Sequence, residues 1–250
     1  MIDLRQGDCL ELMKTIPDKT VDMVLCDLPY GVTNKNKNKW DSIIPFEELW
    51  SEYHRICKKN AAIILFGQDK FTAQLMMSNL KEHRYNLIWD KVLPSGFLNA
   101  NRMPLRSHED LCVFYQSPPV YNPQKIAGAK NHSKGSMQKN TNHNYGEFKA
   151  QESDQSGLKH PTSILRFPKP HPSTAVHPTQ KPVELLEYLI RTYTDPFSTV
   201  LDNCMGSGST GVAAISQNRH FIGFELDKEY FEIAKARVEK AKEELGITAL

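Results

Sequence analysis

The sequence predicts an α/β protein built on a doubly wound, mainly parallel sheet with a small insertion. Short apolar, β-branched runs alternate with helix-period segments over residues 1–116, and the alternation resumes after residue 176. Near the end of the chain a strand, a glycine-rich turn, a helix and a second strand follow one another over residues 199–225, the order of a nucleotide-type fold. The 250 residues are 40% hydrophobic and 24% charged, enough for one large core rather than two equal domains. We therefore divide the chain into 1–116, an insertion at 117–175, and 176–250.

Ile2-Asp3-Leu4 reads as a short strand, and Gly7 to Met13 as a turn and helix start, with Asp8 placed to cap that helix. Val21 to Leu25 is a buried strand. It runs into Cys26-Asp27-Leu28-Pro29-Tyr30-Gly31, where a proline and a glycine break the run and leave Asp27 to Tyr30 at the strand's carboxyl end. Open α/β sheets bind their ligands at that end. Phe46 to Ile56 has the apolar spacing of an amphipathic helix, Ala61 to Gly67 that of a buried strand, and Phe71 to Leu80 that of another helix. Asn86 to Trp89 and Leu111 to Tyr115 complete the strands of this half.

The turn after the second strand suits alkylation of an aromatic amine. Such a nitrogen is a poor nucleophile because its lone pair is delocalised into the ring. The Asp27 carboxylate could accept one N–H and the Leu28 carbonyl the other, freeing the lone pair. Pro29 stiffens the turn, and Tyr30 offers a flat face for a base drawn out of its stack. The same tetrapeptide also occurs as an ordinary turn.

From residue 117 to 175 the apolar runs stop, and eight Lys and Arg stand against three acids, a local charge of +5 in a chain whose net charge is +2. Residues 128–144 contain no apolar pair, which marks a loop or a segment ordered on binding. The histidines there, His132, His143, His160 and His171, have spacings that fit no compact metal-ligand set. Asn34 to Asp41 alternates Asn and Lys and reads as a mobile loop.

Pro182 to Ile190 is a helix with an initial proline. Thr199 to Thr210 then runs through Asp202, Cys204, Gly206, Ser207 and Gly208, with Ser209 or Thr210 expected to cap the following helix. His220 to Glu225 is a strand ending in an acid about 20 residues past the turn, the spacing at which a carboxylate meets ribose hydroxyls. Asp227 to Leu245 is a final amphipathic helix. Five cysteines without a Cys-x-x-Cys pair suit buried thiols in a reducing cytoplasm, and the amino terminus has no signal-like segment, so the expected location is cytoplasmic with no membrane span.

Asp27-Leu28-Pro29-Tyr30, His177-Pro178-Thr179-Gln180-Lys181-Pro182 and Asp202 to Gly208 together resemble the motifs of S-adenosylmethionine-dependent DNA amino-methyltransferases. The catalytic motif comes first and the glycine motif last, the permuted order of the β class. The resemblance covers nearly the whole chain, with Leu28 where the family usually has proline and Cys204 where it usually has phenylalanine. It implies a Rossmann-like methyltransferase fold, S-adenosylmethionine as methyl donor, and duplex DNA as substrate. It implies catalytic roles for Asp27, Leu28, Pro29 and Tyr30, and cofactor binding by Asp8, Asp27, His177, Thr179, Lys181, Asp202, Cys204, Gly206, Ser207, Gly208 and Glu225. Lys181 would meet the cofactor carboxylate or a DNA phosphate, while capping remains an equal reading of Asp8 and a surface charge an alternative for Glu225.

The resemblance also places target recognition in 117–175, where Lys130, Lys134 and Lys139 could hold DNA phosphates, and the position of the loop bearing Lys35, Lys37 and Lys39 after the catalytic turn suggests a lid that closes over DNA. An initial Asp goes mostly with adenine, so N6 of adenine is the expected target and N4 of cytosine the alternative. An RNA or protein amide methyltransferase, and a non-enzymatic DNA-binding protein of the same fold, are the other readings. A homodimer and a cognate restriction endonuclease are the partners that the resemblance adds.

Overall fold

The computed structural model describes residues 1–31, 42–128, 141–142, 146–147, 156–170 and 180–246. They cluster into two compact units, Met1–Asn122 with Ser163–Leu250, and Pro123–Thr162. Among the described residues no helix is long and apolar enough to cross a membrane.

The larger unit carries strands β1 (Ile2–Gln6), β2 (Val21–Cys26), β3 (Cys57–Gly67), β4 (His83–Ser95), β5 (Arg106–Phe114), β10 (Ile164–Arg166), β11 (Thr199–Asp202) and β12 (His220–Glu225). Its helices are α1 (Cys9–Met13), α2 (Phe46–Ile56), α3 (Lys70–Ser78), α4 (Val183–Tyr193), α5 (Ser209–Ser216) and α6 (Lys228–Glu244). The smaller unit has two antiparallel pairs, β6 (Ile126–Ala127) with β9 (Leu158–Lys159) and β7 (Thr141–Asn142) with β8 (Gly146–Glu147).

The eight strands lie in the order β1-β12-β11-β2-β3-β5-β4-β10. Every neighbouring pair is parallel except the two that involve β5, which alone runs against the rest. The expected mainly parallel sheet is present. From β2 the chain moves outward one way through α2 to β3, and from β11 it moves the other way through α5 to β12. Right-handed crossovers in opposite directions put their helices on opposite faces. The point where the direction changes lies between β2 and β11, and there the strand ends leave a crevice.

Alternation along the strands decides what each face buries. In β2, Val24 and Cys26 join a core with Met13 of α1, Tyr53 of α2 and Phe71 of α3, while Met23 and Leu25 join a second core with Leu189 of α4, Ala213 of α5 and Ala234 of α6. A strand covered on both faces has no solvent side, which is why β2 and β3 read as near-continuous apolar runs. Helix α2 occupies the residues expected for it. β10 departs from the expected division, because Ile164–Arg166 falls within 117–175 and yet pairs with β4 at Ile88–Asp90.

Candidate active site

Asp27 follows the last residue of β2, two positions past buried Leu25, so it continues the face that packs on α4 to α6. Its Oδ1 accepts from the Tyr30 hydroxyl at 2.9 Å and its Oδ2 from Lys181 Nζ at 2.6 Å. The Tyr30 ring stacks on Phe71 of α3, centroids 4.5 Å apart and planes 26° from parallel. Leu28 is buried among the residues of α1 to α3, which anchors the turn, and Pro29 stiffens it. Gly31 closes the turn at φ 68°, a conformation that favours glycine.

Lys181 stands just before α4 and bridges two acids. Its Nζ lies 2.6 Å from Asp27 Oδ2 and 3.3 Å from Glu109 Oε2, and the other Glu109 oxygen lies 3.1 Å from Lys91 Nζ. The rings of Phe66 and Trp89 face the same ammonium at 4.9 and 5.9 Å. Burial pulls the Lys181 ammonium down, but Asp27 and Glu109 outweigh it and hold it at about 12. Burial pushes the Glu109 carboxyl up, and the two lysines overcome it and leave it below the usual range. Asp27 is pushed up by burial, with Lys181 opposing and Glu109 reinforcing. Two cations and two anions thus alternate, and their charges cancel inside the fold.

Neither Glu109 nor Lys91 was among the residues expected here. The signal is in the alternation: Glu109 precedes buried Leu111 by two and Lys91 follows buried Trp89 by two, so both sit on the inner face of their strands. Trp89 and Glu109 are partners in the β4–β5 register.

The second turn follows β11. Asp202 is buried and its carboxyl is pushed up to about 6 by that burial, against the Thr210 hydroxyl, the Cys26 thiol and the Cys204 N–H. Gly206 and Gly208 have φ of 52° and 77°. A Cβ on Gly208 would meet Ala234 of α6 at 3.0 Å, so glycine is needed there both for conformation and for room. Gly208 itself is the N-cap of α5, without a side-chain cap bond. The expectation that Ser209 or Thr210 caps this helix is therefore corrected: the left-handed glycine starts the helix one residue earlier. Arg237 Nη1 instead donates to Ser207 Oγ at 2.9 Å and Ser209 Oγ at 3.3 Å, tying the turn to α6.

Glu225 at the end of β12 is buried, and both of its oxygens accept backbone N–H groups, Oε2 from Gly206 at 2.9 Å and Oε1 from Asp227 at 2.8 Å. It braces the glycine turn rather than lying on the surface. Burial raises its carboxyl and those two N–H groups oppose the rise. Asp8 caps α1 through Leu10 N at 2.8 Å and Glu11 N at 3.3 Å, and it also lines the crevice. Cys204 is half-buried with its thiol against Cys9, while the neighbouring Asn203 Oδ1 accepts from the Tyr53 hydroxyl at 2.6 Å.

Both turns open into one cavity of about 640 Å³. Asp8, Asp27 to Tyr30, Lys181, Asp202, Cys204, Gly206, Ser207 and Glu225 all line it, so residues from four strand ends and the arm before α4 converge. Gly208 is not part of that lining and packs against Ala234 of α6. His177, Thr179, Lys35, Lys37, Lys39, Lys130, Lys134 and Lys139 lie outside the described residues.

The family model for DNA methylases matches residues 21–236. Type II methyltransferase M.BglII of Bacillus subtilis is 29% identical over 259 residues, a match spanning 91% of this chain and 66% of that one. M2.MboI of Moraxella bovis is 27% identical over 263 residues, spanning 94% and 86%. The crystal structure of the M1.HpyAVI–SAM complex aligns with a TM-score of 0.63 at 24% identity over 95% of this chain and 99% of that one. The cytosine-N4-specific PvuII DNA methyltransferase aligns with a TM-score of 0.68 at 16% identity over 97% and 90%. The two structures agree with the fold described above, and the family match spans both turns of the crevice. The chain belongs to the N6/N4 family of DNA methylases.

Proposed function

We propose that the protein transfers the methyl group of S-adenosylmethionine to the exocyclic N6 of adenine in duplex DNA. The observation that carries this reading is the meeting of the Asp27 turn and the Gly206–Gly208 turn in one cavity at the switch point of the sheet. A volume of about 640 Å³ lies within the usual range for a small-molecule site. The lining suits the donor: Asp8, Asp202 and Glu225 offer acceptors to ribose hydroxyls and an ammonium, and Leu10, Met205 and Leu226 offer apolar contact to a purine ring. A Cβ on Gly206 would meet nothing within 4 Å, which leaves its backbone open to close approach.

S-adenosylmethionine supplies a methyl group already activated as a sulfonium. The chain's own residues prepare the acceptor. Asp27 takes one N–H of the amino group and the Leu28 carbonyl the other, so that nitrogen lone-pair density turns toward the methyl. Tyr30, backed by Phe71, gives the extruded base a rigid face and orients the Asp27 carboxylate through its hydroxyl. Holding the partners in line supplies much of the acceleration. His177 and Thr179 complete the cofactor side, Lys35, Lys37 and Lys39 close over DNA, and residues 117–175, with Lys130, Lys134 and Lys139, choose the sequence that is methylated.

Adenine is favoured because in this family an initial Asp such as Asp27 accompanies N6 chemistry. The second reading, N4 of cytosine, is favoured by the likeness to the PvuII enzyme. Incubating the purified protein with S-adenosylmethionine and unmethylated DNA, then analysing the nucleosides by mass spectrometry, decides between them. N6-methyladenine is expected. N4-methylcytosine would replace the adenine reading, and no methylated base would remove both.

A further inference from the structure

Asp27 has no oxygen without a donor before a substrate arrives: Tyr30 holds Oδ1 and Lys181 holds Oδ2. Each oxygen keeps a second acceptor direction, but an amino group that donates to Asp27 Oδ2 competes there with the Lys181 ammonium. A displaced lysine left unpaired in this buried site would be strongly unfavourable. Glu109 Oε2 is the group placed to prevent that. It is buried, it makes no hydrogen bond among the described residues, and it lies 3.3 Å from Lys181 Nζ. Closing that gap to the ~2.8 Å of a charge-assisted hydrogen bond needs a movement of about half an ångström.

We infer that Glu109, anchored by Lys91, is a positioning residue that receives the Lys181 ammonium when a target amino group takes its place on Asp27. The inference rests on the methyl-transfer reading above and adds a residue to it. Lys91 fixes the far oxygen of Glu109 at 3.1 Å, so the carboxylate stays aimed while the lysine moves. Phe66 and Trp89 face the ammonium and let it slide between the two acids without leaving favourable contact. The four charges cancel before and after the exchange. Nothing has to leave the site or be desolvated anew.

The groups facing Asp27 are Lys181 from the arm before α4, Glu109 from β5, Asp202 from β11, and Tyr30 on its own turn. Those facing Glu109 are Lys91, Lys181, Asp27 and Tyr30, and Lys91 also faces Lys169 and Lys181. Glu109→Gln keeps the size and an acceptor for Lys91 but removes the charge that can draw Lys181 away. Its plateau methylation rate should fall about tenfold to a hundredfold, the cost of misplacing a group near the reacting centre. The cofactor KM should stay unchanged. The acid limb of the rate profile should move to lower pH, because Glu109 no longer pushes the Asp27 carboxyl up. Glu109→Asp, which keeps the charge and shortens the reach, should recover part of the rate.

Independently of turnover, carbon-13 NMR of the Asp27 carboxyl in the purified protein should show it titrating lower in Glu109→Gln than in the wild type. A wild-type plateau in Glu109→Gln overturns the inference. So does a loss of rate with the acid limb and the Asp27 titration both unmoved, since that is a purely structural effect. A thermal melt confirms that the variant is folded, and Glu109→Asp carries the same measurements if it is not. Failure of the wild type to methylate DNA overturns the parent reading instead, and the carboxyl titration separates the two.

Discussion

The two turns that meet in the crevice are built in opposite ways. The turn after β11 is made of backbone: two glycines at positive φ, a helix started by one of them, and a carboxylate from the next strand that ties down Gly206. The turn after β2 is made of side-chain charge, and the charges that complete it come from far along the chain, Glu109 from β5 and Lys181 from the arm before α4. A backbone cradle binds by shape and is lost when its conformation is lost. A charge network works through the state of its members, and a variant can stay folded while the chemistry stops.

Asp27→Ala should break the comparison most sharply. Losing this acceptor should lower turnover by on the order of a hundredfold or more while the fold survives, because Glu109 remains to pair the Lys181 ammonium. Steady-state rates with circular dichroism melts test it, and near-normal turnover would remove Asp27 from the chemistry.

Gly208→Ala should do the reverse. An alanine at φ 77° is strained, and its Cβ would press on Ala234 at 3.0 Å, so about 2–3 kcal/mol of stability should be lost in denaturant titration. Wild-type stability would mean that the turn relaxes freely.

Asp202 sharpens the contrast through pH. Its folded carboxyl sits at about 6, above the unfolded value, so the folded state binds more protons between about pH 4 and pH 6. Stability should therefore fall as pH rises through that window, by roughly 2 kcal/mol. Asp202→Asn should flatten that part of the profile. An unchanged slope would place the titrating group elsewhere.

The smallest effect is expected at Glu225. Replacing it with alanine removes an acceptor from the cavity and the brace on Gly206, so the dissociation constant for S-adenosylmethionine should rise by the equivalent of about 1.5 kcal/mol. Calorimetry showing unchanged affinity would leave Glu225 with the bracing role alone.

Much of the frame was legible in the chain. Helix α2 was found from its apolar spacing, and β2, β3 and β12 from runs that only a strand covered on both faces would show. Less legible were β4 and β5, whose expected cores of 86–89 and 111–115 extend to His83–Ser95 and Arg106–Phe114. Among the added residues Lys91, Ser95, Arg106 and Glu109 line the crevice, so polar side chains interrupt the apolar signal there. The start of α5 was misplaced for a related reason. A serine and a threonine advertise a cap, and only the backbone shows that Gly208 has taken the role.

By itself the sequence determined that the fold is α/β and which segments become most strands and helices of the large sheet, and it pointed to the two short turns that meet in the crevice, because these follow from local spacing and from glycine and proline. Only the tertiary structure decided that β5 runs against its neighbours, that β2 and β11 are adjacent, and that Lys181 lies between Asp27 and Glu109. The last two facts join residues more than 70 positions apart, and the first joins β5 to strands up to 51 positions away. No local preference encodes such a meeting, which is settled when both faces of the sheet are buried at once.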